Sequence, residues 1–137
     1  MPLQTTFYDK IDDTSTTQRY DLGTLSIEGT KIYRYVKANA AIDAYDGVVS
    51  TALGNVDDAL SSGNQAQGVA VAAIASGSYG WIQVYGPLAT TLAGNALDPV
   101  YATATTGALI TTSTNNSLKL GYLEAANNVF VTCMGVT

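Results

Sequence analysis

The sequence predicts a mostly β protein: a single antiparallel β-sandwich or barrel-like domain with an extended N-terminal arm. Short segments of alternating apolar and polar residues recur about every ten residues, and glycine, asparagine and serine turns separate them. No segment keeps a long apolar period of about 3.6 residues, which a helix would require. The length of 137 residues is that of one ordinary domain.

The N-terminal arm is assigned to residues 1–20 and the β-rich domain to residues 21–137. The arm is polar and rich in threonine, with Phe7 and Ile11 as isolated apolar residues. Such a segment carries too little apolar surface to form a core by itself. We expect it to stand apart from the core and to be disordered in the free protein until a neighbouring subunit orders it.

The first half of the domain is predicted to begin with a hairpin. Its elements are, in order, a strand at Leu22–Ile27, a turn at Glu28-Gly29-Thr30, a strand at Ile32–Val36, a helical turn or strand at residues 38–44, a turn at Asp46-Gly47 and an apolar pair, Val48 and Val49. Residues 54–67 are mostly of the types that favour loops, so they are predicted to form a long surface connection.

The segment from residue 68 to residue 88 carries the single tryptophan and predicts a second hairpin. An apolar run at Val69–Ala75 and a strand from Trp81 onward are joined by the flexible residues 76–80. Successive side chains of a strand point to opposite faces. The two groups here are Trp81, Gln83 and Tyr85 on one face and Ile82 and Val84 on the other.

The remaining elements continue the same pattern of short strands and turns. They are a turn around Gly94-Asn95, a strand at Val100–Ala104, a turn at Thr106-Gly107, a strand at Ala108–Thr111, a polar loop at residues 112–117, a strand at Leu118–Glu124 and a last strand at Val129–Met134. Alternation within the Leu118–Glu124 strand predicts that Leu118, Leu120 and Tyr122 share one face.

Composition excludes several classes of chemistry. The chain has no histidine, which removes the commonest general base and the usual zinc ligand. The net charge of −5 argues against a partner rich in phosphate, so no nucleic acid is expected. The charged fraction of only 12% favours a surface partly covered by other subunits. We expect no enzyme activity and no cofactor.

One basic cluster interrupts the acidic sequence. Lys31 and Lys37 share a strand face with Tyr33 and Tyr35, and Arg34 lies on the opposite face. Cations interleaved with aromatic rings are typical of surfaces that stack single-stranded nucleic acid. The favoured interpretation is an edge strand whose charges prevent pairing with other sheets.

Two acidic pairs and one cysteine are the other reactive candidates. Asp12-Asp13 and Asp57-Asp58 lack the alternating spacing of a calcium loop, so solvated loop acids are the favoured interpretation. Cys133 is the single cysteine and is expected to be a buried small hydrophobe. The N-terminus does not resemble a secretory signal, and no apolar run reaches the ~18 residues of a membrane span. We expect synthesis in the cytoplasm and no membrane partner.

The residues from Gly68 to Gly86 resemble the capsid cement, or decoration, proteins of tailed bacteriophages. Shorter segments are similar to that family in the same order, so the resemblance extends over about residues 22–136. They are Leu22-Gly23-Thr24, Tyr33-Arg34-Tyr35-Val36-Lys37-Ala38, Asp46-Gly47-Val48-Val49, Thr106-Gly107-Ala108-Leu109 and Leu120-Gly121-Tyr122.

The resemblance implies a non-enzymatic virion protein on the outer surface of the mature capsid. Such a protein is usually a trimer and clamps neighbouring copies of the major capsid protein. We take seven aromatic residues as candidates for contacts with other subunits or with the capsid. They are Phe7, Tyr8, Tyr33, Tyr35, Tyr79, Trp81 and Tyr85.

Two other function classes remain open at this point. Flat aromatic faces suit the apolar faces of sugar rings, so Trp81, Tyr79 and Tyr85 would also fit a glycan-binding or adhesive fibre module. Packing in the core or at an interface is the more general role of such residues. An enzyme that uses paired carboxylates would need two acids converging in a cleft.

Overall fold

The computed structural model describes residues 3–4, 11–52, 54–58, 65–103, 106–112 and 118–133, and in this part of the chain every regular element is a β-strand. The strands are β1 Leu3–Gln4, β2 Leu25–Glu28, β3 Lys31–Ala38, β4 Gly47–Ala52, β5 Asn55–Asp57, β6 Ala66–Ala70, β7 Tyr79–Ala89, β8 Pro99–Ala102, β9 Leu109–Ile110, β10 Leu118–Ala125 and β11 Asn128–Thr132. The predicted mostly β class is confirmed.

Five strands form a closed barrel in the order β3, β5, β4, β6 and β7, because β7 pairs again with β3. The β3–β7 ladder is antiparallel, with Tyr35 opposite Trp81. Apolar side chains from all five strands fill the interior, together with residues of two loops. They are Ile32, Val36, Ala38, Ile42, Val48, Val56, Ala70, Ile74, Ile82 and Val84. Ile82 and Val84 therefore share a face, as the alternation in β7 predicted.

β7 is long enough to pair both within the barrel and with a second sheet. Its first part pairs with β3 in the barrel, and residues 85–89 pair with β11. β11 continues into a second sheet in the order β11, β10, β8 and β9. This sheet packs on the barrel wall at Val49, Ala66 and Val69. The architecture is thus a barrel with a sheet covering one side, and the chain buries a second apolar layer between them.

Residues 11–22 lie across the outside of the barrel. Ser15 and Tyr79 exchange backbone hydrogen bonds of 3.0 and 2.8 Å, and Ile11 and Tyr20 pack around Trp81. The prediction that the arm stands apart from the core is wrong for residues 11–20. Two apolar side chains among polar neighbours give no periodic signal, yet they complete a cluster that the barrel provides. Residues 5–10, with Phe7 and Tyr8, lie outside the described residues.

Two loop predictions also need correction. The predicted surface connection contains β5, whose Val56 is buried in the barrel, and the start of β6, where Ala66 and Gln67 are buried. The apolar run after Val69 leaves the sheet at Ala70, and Ile74 instead forms an isolated bridge with Ile42. In both places long-range backbone hydrogen bonds hold a short buried segment, and so few residues show no period.

Candidate functional site

Three of the predicted contact residues pack in the chain's own core. Tyr33, Tyr35 and Trp81 form one buried cluster, and Trp81 is only 2% exposed. The ring centroids of Tyr35 and Trp81 lie 5.1 Å apart, and Tyr20 covers both rings at 5.2 and 5.6 Å. Of the two roles open from the sequence, these residues fill the packing role, and the ring of Trp81 offers no face to a sugar.

Tyr79 lies at the border of this cluster and is half-buried. Its ring stacks on Tyr35 at a centroid distance of 6.1 Å and an interplanar angle of 11°. The ammonium of Lys37 lies 5.7 Å from the Tyr79 ring centroid, within range of a cation–π contact. The rings of Tyr35 and Tyr79 therefore both make contacts within the chain.

β3 is not an edge strand, so the favoured interpretation of its charges is wrong. It pairs with β7 along one side and with β2 and β5 along the other. Burial of Tyr33 and Tyr35 also removes the stacking surface that single-stranded nucleic acid would use. Arg34 lies on the other face, as predicted, and its Nη1 donates to Gln67 Oε1 at 3.1 Å.

Among the predicted contact residues that the structure describes, Tyr85 is the most exposed, with 39% of its area accessible. It begins a row on the outer face of the second sheet, which we call the aromatic row: Tyr85, Pro87, Phe130, Tyr122 and Pro99. Phe130 lies opposite Pro87 in one ladder and opposite Tyr122 in the next, and Tyr122 lies opposite Pro99. The row therefore crosses four neighbouring strands, β7, β11, β10 and β8.

The rings of the aromatic row pack against one another. Tyr122 and Phe130 are stacked, with centroids 5.5 Å apart and an angle of 16°. Tyr85 meets Phe130 edge-on at 5.2 Å. Because Tyr122 and Phe130 turn their faces toward each other across the strands, they present edges to solvent. A ridge of ring edges and prolines suits contact with a protein better than it suits stacking of a planar ligand.

Leu97 lies in the turn that leads into β8, the strand whose Pro99 ends the aromatic row. It lies two residues before Pro99, is 79% exposed and has a φ of 72°, in the left-handed region. That conformation costs a leucine about 1–2 kcal/mol relative to glycine. Its N–H donates to the Leu123 carbonyl at 2.7 Å, which fixes the turn beside Tyr122. An exposed apolar side chain held in a strained conformation points to a role outside the fold itself. The aromatic row and Leu97 together are called the contact surface below.

Sequence alternation missed Tyr122 as a surface residue because of a β-bulge. The register of β10 against β8 shifts between Lys119 and Gly121. Leu120 consequently faces the core, whereas Tyr122 packs with Phe130 on the outer face. The predicted common face of Leu120 and Tyr122 is wrong for this reason. The outward position of Phe130, between buried Val129 and Val131, is the signal that alternation did offer.

Three carboxyl groups meet where the loop before β4 approaches the end of β5. Burial, together with the neighbouring Asp57 and Asp46, raises the pKa of Asp58 to about 6. Burial also raises the pKa of Asp46. Among the described residues, no group of three or more acidic, cysteine or histidine side chains has an arrangement that could hold a metal ion.

We expect Asp58→Asn to stabilise the protein at neutral pH. The unfolded state releases this proton near pH 4 and the folded state near pH 6, so the contribution of Asp58 is favourable below pH 4 and is lost as pH rises to 6. The group is partly exposed to solvent, which reduces the expected gain at pH 7 to about 1 kcal/mol. Urea unfolding at pH 4 and pH 7 measures it. Asp12→Asn, an exposed change of the same charge, is the control, and equal effects of the two variants at both pH values would contradict the prediction.

Cys133 is buried, which confirms its predicted place in the core. Its Sγ donates to the Leu120 carbonyl at 3.5 Å. Burial raises the pKa of the thiol to about 12, so the nucleophilic thiolate is scarcely populated at neutral pH.

Comparisons with protein-family models, with curated proteins and with solved structures find no match to this chain. Among the described residues, no helix long and apolar enough to cross a membrane occurs.

Proposed function

We propose that this chain is a structural virion protein, a capsid cement or decoration protein that binds the outside of the mature phage capsid. It acts without enzyme chemistry as a homotrimer and clamps neighbouring major capsid proteins. The resemblance of about residues 22–136 to the cement family supplies the identity of the partner. The contact surface is the structural observation that supports the proposal, because surface rings, prolines and an exposed leucine suit contact with a protein.

The chemistry of the contact surface fits a protein partner. Interfaces are enriched in aromatic residues at their centre, and strained, exposed side chains are retained where they contact something. A stable contact covers about 800 Å² on each partner, and the contact surface would form its centre. The edges of the rings of Tyr85, Phe130 and Tyr122 and the Leu97 side chain would be the anchors, and the prolines would keep the surface stiff.

Stabilisation of the shell then follows from mass action. A protein that binds the mature lattice and not the immature one favours the mature state by RT ln(1 + [L]/Kd) for each site. At a concentration one hundred times Kd this amounts to about 2.7 kcal/mol per site. The stabilisation free energies of all sites in the lattice add up. Stabilisation by binding needs no catalytic group.

We expect Leu97→Asn to separate binding from folding. Asparagine adopts the left-handed region readily, so the free energy of unfolding should stay equal or rise by about 1 kcal/mol. Binding to mature shells of the phage that carries this chain should weaken about tenfold or more, as for a hot-spot residue. Co-sedimentation with mature and immature shells measures both preference and affinity.

Ile27→Thr is the control for Leu97, because Ile27 is 44% exposed and its strand β2 is separated from β8, the strand after Leu97, by β3, β7, β11 and β10. It should leave shell binding unchanged. Light scattering should give the wild-type protein a mass three times that of the 14.2 kDa chain. A stable Leu97→Asn variant that binds mature shells as tightly as the wild type would overturn the role of the contact surface, and a wild-type protein that ignores mature shells would overturn the proposed function.

A further inference from the structure

A cavity of about 350 Å³ opens between three loops, and its lining includes none of the residues of the contact surface. It lies where residues 44–46, before β4, face residues 90–93, after β7, and the start of β9. Its volume lies within the range of about 300–1,000 Å³ that is usual for small-molecule sites. The lining includes Tyr45, Asp46, Thr90, Thr91, Leu92 and Leu109.

Tyr45 is held at this cavity in an unfavourable conformation. Its φ is 68°, in the left-handed region, and 45% of its surface is exposed. The Tyr45 N–H donates to the Ala70 carbonyl at 2.7 Å, which fixes the backbone against β6. Glycine or asparagine would adopt this conformation with less strain. The backbone conformation disfavours a residue as large as tyrosine, and its ring is exposed rather than buried. This combination points to a ligand that contacts the ring.

The polar groups of the cavity are mostly hydroxyls. Asp46 is buried, its Oδ2 accepts from the Asp43 N–H at 3.3 Å, and it hydrogen-bonds with Asp58. Its carboxyl is therefore already used within the protein. Thr90 Oγ1 accepts from the Leu92 N–H at 3.1 Å, which leaves the Thr90 hydroxyl hydrogen free to donate.

The charges at the cavity and on the whole chain limit which ligands the cavity can bind. Among the described residues, neither lysine nor arginine lines the cavity, and the chain carries a net charge of −5. Anionic ligands such as phosphates and acidic sugars would be repelled. A cationic ligand would find the one lining carboxyl buried and already hydrogen-bonded. Leu92 and Leu109 add apolar surface, so the lining suits a neutral ligand that has both an apolar face and hydroxyl groups.

We propose that this cavity binds a neutral sugar of one or two rings, with the C–H face of a pyranose against the Tyr45 ring and sugar hydroxyls on Thr90 and Thr91. This site is separate from the contact surface and does not depend on the proposed function. It also differs from the sugar platform considered at Trp81, which the core covers. A virion protein with such a site would contact both the shell and an external glycan.

Saturation-transfer NMR and calorimetry on the full chain test the proposal. The neutral probes are glucose, galactose, mannose, N-acetylglucosamine and their β-linked disaccharides, and the charged probes are sialic acid and tetramethylammonium. At least one neutral probe should bind and perturb the ring signals of Tyr45. Binding of the charged probes in preference to every neutral sugar, or binding of none of the neutral sugars, would overturn the assignment.

Two variants locate the site. Tyr45→Asn should remain folded, with an unfolding temperature no lower than that of the wild type, and should lose about tenfold or more in sugar affinity. Tyr45→Phe should keep most of the affinity because it keeps the ring face. Ile27→Thr, which changes a side chain of similar exposure on β2, should bind sugar as the wild type does. Unchanged affinity in a folded Tyr45→Asn variant would place any sugar binding elsewhere and refute the site.

Discussion

Replacing Trp81 with alanine is expected to lower the free energy of unfolding by about 3–5 kcal/mol. The indole is 2% exposed and packs between Tyr35 and Tyr20, so its removal leaves a cavity between β7 and the crossing N-terminal segment. Urea unfolding followed by tyrosine fluorescence or circular dichroism measures the change. We also expect residues 11–22 to become more accessible to protease, because they lose the side chain on which they pack.

Tyr85→Ala is the control for this prediction. Tyr85 lies on the same strand but is 39% exposed and meets Phe130 alone among the described rings. Its loss should lower the free energy of unfolding by about 1 kcal/mol, the worth of one aromatic pair. Equal effects of the two substitutions would show that Trp81 does not hold the N-terminal segment to the barrel.

Gly86→Ala is expected to lower the free energy of unfolding by about 3 kcal/mol or more, because it adds a steric collision to an unfavourable backbone conformation. Gly86 has a φ of 105°, and a Cβ at this position would collide with the Thr30 carbonyl oxygen and approach the Lys31 Cα to 3.1 Å. Here β7 passes from the barrel to the second sheet, and the Gln83 Nε2 donates to the Tyr85 and Pro87 carbonyls at 3.3 and 2.9 Å. Because the obstacle is backbone, a side-chain rotation cannot relieve it. Chemical denaturation measures the loss.

Gly77→Ala isolates the conformational part of that effect. Gly77 has a φ of 80°, and a Cβ there would meet nothing within 4 Å. Its replacement should therefore cost only about 1 kcal/mol, for the left-handed conformation of a residue with a side chain. If Gly86→Ala lowered the free energy of unfolding no more than Gly77→Ala does, the close approach of the turn at Thr30 would not contribute to stability.

Local sequence pattern was sufficient where a strand keeps its register. In β7 the alternation of Ile82 and Val84 against Trp81 was predicted and observed, since opposite faces follow from strand geometry alone. The β2–β3 hairpin was also predicted, because a turn that contains Gly29 lies between two alternating segments. In the structure Gly29 has a φ of 61° in this turn. The burial of Cys133 followed from residue type.

The contact surface was predicted only in part, at Tyr85. Tyr122 was assigned to the wrong face because the β10 bulge shifts the alternation by one residue. Gly121 inside this strand was the available signal, since an isolated strand glycine marks a bulge or a close backbone approach. Leu97 gave no signal, since its strained φ is imposed by the hydrogen bond to Leu123 and not by its residue type. The cavity beside Tyr45 was not predicted because its walls come from three separate loops.

What the sequence by itself determined is therefore the β class, the position of most strands, the two faces of β7 and the absence of histidine chemistry. These properties depend on residue type and on a period of two, which are local. Only the tertiary structure decided that β3 closes a barrel with β7, that Trp81 is covered and that Tyr85, Phe130 and Tyr122 form a row. Those features require backbone hydrogen bonds between residues far apart in the chain, and the positions of such bonds are not encoded in any one segment.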